Sequence, residues 1–454
     1  MFKTSTLRFP YNNDTQKYFT AIAVGIFILG FTASIYAFYP GWMSVDSAVQ
    51  YYEARHNHYS DWQPVLMAWW WSLLNKIYEG PALFLIQNVA TYWTSLLILY
   101  FATRRIIGRT AVLFLLAGFI PGLLFPLGQI WKDVVFAVLL VLCFSNALRI
   151  DSLKKTPSWL ERAFFFLALT LAYGVKTNGI TAIPFVILYW IHAEQPIWSK
   201  LKKLGVTLCV TIGVVSLASV AVPQKNITRA YGMQYTQSYD LLAISVATKT
   251  NLLPDYINNK IKPLNKPLAD YYYIGSNNLL FYNTAAGDLR TTNAQDADDL
   301  KEKWIAAIKA HPLTYIKHRT KVFASLLRIG EKTPAWVAQA KIVDTSIPFV
   351  FKANAFSDAL KFTESSLPQF YYPWIYCLTL LLTLIFWRFL LPSLKAFYLT
   401  LQISAWAFVI PHFIITPASD YRYLYYMYFC AVVAVIISIG SVSMRLQKKL
   451  YSQT

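Results

Sequence analysis

The chain has 454 residues, with 41 Lys and Arg against 22 Asp and Glu for a net charge of +19, yet 56% of it is hydrophobic, 17% aromatic and only 14% charged. Soluble domains carry about 25% charged residues, so this balance, with a mean hydropathy of +0.40, excludes one and marks an integral membrane protein. The basic excess lies in short clusters between apolar runs and forms no stripe, which excludes a nucleic-acid partner and reads as a cytoplasmic orientation signal.

Lys3, Arg8 and Lys17 precede the first long apolar run, "AIAVGIFILGFTASIYAF". The amino terminus is therefore expected in the cytoplasm, with the run retained as an anchor because it is too long, and lacks the small-residue pattern, for a cleaved signal. The next stretch, "PGWMSVDSAVQYYEARHNHYSDWQP", is expected outside and concentrates Asp46, Glu53 and Asp61. "VLMAWWWSLLNKIY" is short and Trp-rich, the pattern of a helix lying in the interface.

A second span ends at Arg104, Arg105 and Arg109, and the apolar runs then alternate with Arg149, Lys154 and Lys155, and with Lys200, Lys202 and Lys203. After a single large polar region the runs resume, ending at Arg445, Lys448 and Lys449. The pattern predicts an all-α polytopic protein of about ten transmembrane helices with both termini inside. Residues 1–222 form an amino-terminal transmembrane module whose first outer loop is 40–80. Residues 223–370 form a small extracytoplasmic helical region, and 371–454 a carboxy-terminal transmembrane module.

Within the outer region, "NAQDADDLKEKWIAAIKA" starts with capping residues, is acidic early and basic late, and predicts a helix. "HPLTYIKHRTKVFASLLRIG" predicts a second, either on the membrane surface or in a small outer domain. All the cysteines, Cys143, Cys209, Cys377 and Cys430, fall inside apolar runs without metal-like or disulfide-framework spacing.

With this topology the remaining polar groups share one side. Asp46 and Asp61 lie in the first outer loop, Lys132 and Asp133 of "QIWKDVV" in the second, Lys176 and Asn178 of "VKTNGI" in the third. Tyr239 and Asp240 of "QSYDLL" open the outer region, and Asp420, Arg422 and Tyr423 of "SDYRYLYY" lie between the last two runs. Plain readings stand beside each: Asp46 and Asp61 as helix caps, Lys132 and Asp133 as an interfacial pair, Lys176 as a snorkelling side chain. His56 and His58 are one residue apart, which on a helix turns them away from each other and argues against a metal pair.

The ordered set "SVDSAVQYYEA", "YSDWQP", "WKDVVF", "KTNG", "YDLLAISV", "HPLTYIKHR" and "SDYRY" resembles bacterial membrane glycosyltransferases of the GT-C superfamily, allied to protein O-mannosyltransferases and lipid A aminoarabinose transferases. The resemblance runs from the first span to the last. It implies a polyprenyl-phosphate-linked sugar donor and a lipid, glycan or protein acceptor, meeting at the outer face of the bacterial inner membrane. On this reading Asp46 is the general base and Asp61 a second catalytic candidate, with the acid that assists Asp46, if any, left open. Arg422 and Lys132, with Lys176 and Arg319 behind them, would stabilise the leaving phosphate, and Trp62, Tyr239 and Tyr423 would flank the anomeric centre. Gln63, Asp133, Asn178 and Asp240 complete the substrate contacts. No cofactor is demanded, though Asp46 and Asp61 are oxygen ligands suited to a divalent metal. Relatives often pair acids in the first outer loop, whereas here Ser47 follows Asp46. The alternatives are a flippase for a lipid-linked saccharide, with polar groups near the midplane, or a surface-polysaccharide polymerase or ligase.

Overall fold

The computed structural model describes residues 13–451 apart from 223–225, 283–284, 286, 335 and 345–346; Lys3 and Arg8 lie outside the described residues. Among the described residues the protein is all-α save for one parallel pair of two-residue strands, Tyr59–Ser60 beside Ile227–Thr228. Among the described residues six helices, not about ten, are long and apolar enough to cross a membrane: Gln16–Phe38, Ala82–Phe119, Lys132–Leu153, Lys200–Ala221, Pro392–Ile415 and Tyr421–Leu450.

The other four apolar runs are interrupted. The run over 113–128 breaks at Ile120 into the short pieces Pro121–Leu124 and Phe125–Gly128, each with a proline near its start, because proline supplies no N–H and clashes with the preceding turn. Trp159–Val175 stops after 17 residues at Lys176, which is extended. Ile183–Glu194 has 12 residues, roughly 18 Å at 1.5 Å per residue, against about 30 Å of hydrocarbon. Pro373–Leu382 passes into a 3₁₀ segment, Thr383–Phe389. Apolar composition here marks burial inside the bundle as much as exposure to lipid: Lys132–Leu153 is almost wholly buried, packed between Ala82–Ile107, Trp159–Val175 and Ile183–Glu194.

A second, smaller core gathers Leu241, Leu242, Ile257, Leu280, Leu289 and Leu300 beneath the helices Gln234–Thr248, Ala294–Ala310 and Pro312–Leu326. Ala294–Ala310 begins at Asn293, whose side chain accepts the Gln295 N–H at 2.9 Å. The expected interfacial helix is Val65–Asn75, with Leu66, Met67, Ala68 and Trp71 buried.

Two short ladders place the helix Val45–His56. The Trp42 N–H donates to Gly128 O (2.8 Å) and Trp42 O accepts from Ile130 N–H (2.9 Å). On the other side, Met43 exchanges backbone bonds with Lys341 and Val343, each 3.0 Å. The Ser47 hydroxyl donates to Ile130 O (2.6 Å) and the Trp131 indole N–H to the Ser44 hydroxyl (2.7 Å). The first turn of this helix is thus fixed against the first turn of Lys132–Leu153.

Candidate functional site

At that junction the ionic groups converge. Asp46 and Asp133 each sit in the first turn of a helix, where the positive end of the macrodipole favours a carboxylate. Arg422, at the start of the last span, lies between them: its Nη2 is 2.5 Å from Asp46 Oδ2 and 3.0 Å from Asp420 Oδ2, and its Nε is 3.8 Å from Asp133 Oδ2. The guanidinium carbon stands 4.6 Å from the centre of the Trp131 ring. Lys176 donates to Asp133 Oδ1 and lies over the rings of Phe408 and Tyr423 at 5.6 and 5.7 Å. Its extended backbone is followed by a 3₁₀ turn that needs Gly179, where an added Cβ would meet Phe136 at 2.2 Å.

Lys132 completes three cations and three carboxylates. It lies in the field of Asp133, Lys176, Asp46 and Arg422, yet it makes no ion pair among the described residues, whereas Lys176 and Arg422 are both paired. The cluster therefore offers a positive charge with no fixed counter-charge of its own. Asp133 Oδ2 is buried with no hydrogen-bond partner among the described residues.

Asn178 and Tyr423 join the edge of this group: Asn178 Nδ2 is 3.5 Å from His412 Nε2, while His412 Nδ1 faces Phe408 O at 2.9 Å. His412 and Trp131 were not among the residues expected from sequence. A histidine inside an apolar run, "VIPHFII", is itself a signal of function.

Other expected residues stand elsewhere. Asp61 Oδ1 accepts the Ala230 N–H at 2.5 Å and, with the strand pair, ties the loop after Val45–His56 to the polar region that begins near residue 223. Gln63 is buried and Trp62 half-buried beside them. Tyr239, Asp240 and Arg319 belong to a second cluster inside the large polar region. There Arg319 Nη2 is 2.5 Å from Asp240 Oδ2, His318 Nε2 is 3.2 Å from Asp240 Oδ1, and the Trp304 indole donates to Asp240 at 2.8 Å. Arg319 also donates to Thr416 O (2.7 Å), and the Tyr239 hydroxyl to Tyr273 O (2.7 Å). Arg319 and Asp240 are fully buried in each other's company.

The arrangement does not suit a metal. Among the described residues no group of three or more His, Cys, Asp or Glu is placed to hold an ion. The carboxylates that converge do so on Arg422, which occupies the position a cation would take, and Asp61 is engaged by Ala230.

Glu53, one turn-set further along the helix Val45–His56, is a carboxyl whose function the sequence left open. Oε1 accepts the Ser60 N–H at 3.0 Å and Oε2 is buried without a partner among the described residues. Burial pushes its pKa from 4.5 up to about 7, against a smaller opposing effect of the Ser60 hydrogen bond. The folded state thus holds this proton more tightly than the unfolded chain, so its contribution to stability is full below pH 4.5 and is lost as pH rises toward about 7. Glu53→Gln keeps an acceptor for Ser60 and is expected to flatten that fall. Thermal unfolding of wild type and variant from pH 4.5 to 8 should show the variant gaining about 1–2 kcal/mol on the alkaline side.

No family model matches the chain, and neither a curated protein nor a solved structure matches it.

Proposed function

We propose that the protein is a GT-C type glycosyltransferase. It takes a sugar from a polyprenyl-phosphate donor to a lipid, glycan or protein acceptor on the extracytoplasmic side of a bacterial inner membrane, with inversion. The observation that carries this reading is the cluster itself: a carboxylate, Asp46, held beside Arg422 at the ends of the spans, with Lys132 near by and in no ion pair among the described residues.

The chemistry balances on these groups. The acceptor hydroxyl oxygen attacks the anomeric carbon and its proton passes to the Asp46 carboxylate. The bond from the anomeric carbon to the phosphate oxygen breaks, and its electron pair stays on the phosphate. Lys132 meets the phosphate as a point charge, and Arg422, already paired with Asp46 and Asp420, adds the field of a fixed guanidinium. Both meet charge that grows as the bond breaks, in a partly dehydrated site where fixed cations act more strongly than in water. Trp131 and Tyr423 lie against the Arg422 guanidinium.

The reading is tested by reconstituting the protein in lipid, supplying polyprenyl-phosphate sugars and following release of polyprenyl phosphate. Wild type is expected to release it, and Lys132→Met to require roughly tenfold more donor for half-maximal rate, the scale of one charge-assisted contact. No release from any donor, or an unchanged donor dependence in the variant, would count against the assignment.

A further inference from the structure

Where one span ends beside the start of the next, the chain encloses a cavity of about 310 Å³. Tyr39 follows the last residue of the span Gln16–Phe38, Ala82 opens the span Ala82–Phe119, and the segment 348–352 supplies the third wall. The ends of spans lie where hydrocarbon gives way to the headgroup layer. Exposed side chains next to the cavity in the chain are apolar or aromatic, Tyr36, Ile77 and Val350, as a face turned to lipid requires. Tyr39 and Tyr78 in its wall are amphipathic rings of the kind that settle at that level.

The wall carries one charge of each sign, and the two do not pair with each other. Lys352 is exposed, and among the described residues its ammonium makes no hydrogen bond and no ion pair. Glu79 accepts from the Tyr51 hydroxyl at 3.4 Å and faces Arg55 at 3.1 Å, both through Oε1, and no hydrogen bond among the described residues uses Oε2. The Tyr39 and Tyr78 hydroxyls are 3.4 Å apart, and each oxygen keeps a lone pair for a further donor. Pro40, Pro81 and Pro348 bring no N–H to the wall. A complementary ligand has an anionic group for Lys352 and, within the same small headgroup, a cation that donates hydrogen bonds to a carboxylate and to phenol oxygens. The phosphate ester of a primary amine meets both demands. A quaternary ammonium has no N–H for these acceptors, and a glycerol headgroup has no positive charge for Glu79.

We propose that this cavity binds the headgroup of a glycerophospholipid carrying a phosphate and a primary ammonium, with the phosphate on Lys352 and the ammonium on Glu79. The lipid then joins the ends of two spans to the segment 348–352. That segment supports the helix bearing Asp46: the Phe349 ring stands 6.4 Å from Tyr51 of Val45–His56, and Phe351 stands 5.5 Å from Trp42. The site is independent of the transfer reading.

The test titrates purified full-length protein in detergent with single phospholipids and counts bound lipid by native mass spectrometry. Wild type is expected to bind phosphatidylethanolamine roughly tenfold more tightly than phosphatidylcholine or phosphatidylglycerol of the same acyl composition, the scale of one hydrogen bond to a charged group. Lys352→Met, at an exposed position, should weaken that binding roughly tenfold. Glu79→Gln should instead abolish the preference for the ethanolamine headgroup, a change of selectivity that a merely structural role of Glu79 would not produce. Phosphatidylethanolamine should also raise the melting temperature of wild type more than that of Lys352→Met, because a ligand stabilises the state it binds. Equal binding of the three lipids by wild type, or wild-type affinity and selectivity in both variants, overturns the proposal. So does displacement of the lipid by soluble phosphorylethanolamine at equal concentration, which would assign the cavity to a soluble ligand.

Discussion

Asp46→Asn is expected to lower sugar transfer by about a hundred- to ten-thousand-fold, the range over which a positioned base acts, while thermal stability changes little. Of the three carboxylates around Arg422, the Asp46 side chain is 34% exposed, against 17% for Asp420 and 1% for Asp133. An acceptor can therefore reach Asp46 and not Asp133. Asn keeps an oxygen for the guanidinium to bind, so the cluster stays assembled, but it accepts no proton. Release of polyprenyl phosphate by purified wild type and variant measures the effect directly, and a parallel melting curve checks that the fold is intact. Equal turnover would move the base to another group, with Asp420 the next nearest.

The largest loss of stability is expected from Arg319→Leu. The Arg319–Asp240 pair is 0% exposed on both sides, and removing one member of a buried pair leaves an uncompensated charge, at a cost of about 3–5 kcal/mol. The Trp304 indole and His318 remain beside Asp240 but do not replace a guanidinium. Burial lowers the pKa of His318 below its ordinary 6.5, so at neutral pH the uncovered carboxylate gains little from it. Toward acid pH His318 takes a proton and the deficit should narrow. Thermal melts of the variant at neutral and acid pH, with limited proteolysis of the large polar region, read both effects. Transfer should fall as well, since the bond from Arg319 to Thr416 O anchors the segment that delivers Asp420 to Arg422.

How far these features could be read from sequence depended on scarcity. Charges are rare within long apolar runs and basic clusters mark one end of each, so Asp46, Lys132, Asp133, Lys176 and Arg422, all at the opposite ends, stood out, and they meet in the fold. Asp240 and Arg319 lie on amphipathic helices where charges are ordinary, and helical periodicity does not tell whether such a side chain meets solvent or a buried partner. Here each meets the other. Span number failed for a related reason. Apolar length reports where water is absent, not where a helix is continuous, and breaks such as that before Pro121 or at Lys176 turn would-be spans into pieces packed against other helices. Glu53 lies within "SVDSAVQYYEA" but was given no role; its distinction is burial, which no local pattern announces.

The hydrogen bond between Asp46 and Arg422 joins positions 376 residues apart. At a translation speed of roughly 5–20 residues per second, the acid leaves the ribosome some 20–75 s before its partner. Through that interval Asp46 is without the guanidinium it pairs with, so a product truncated ahead of residue 421 would leave that one carboxylate uncompensated while Asp133 still faces Lys176.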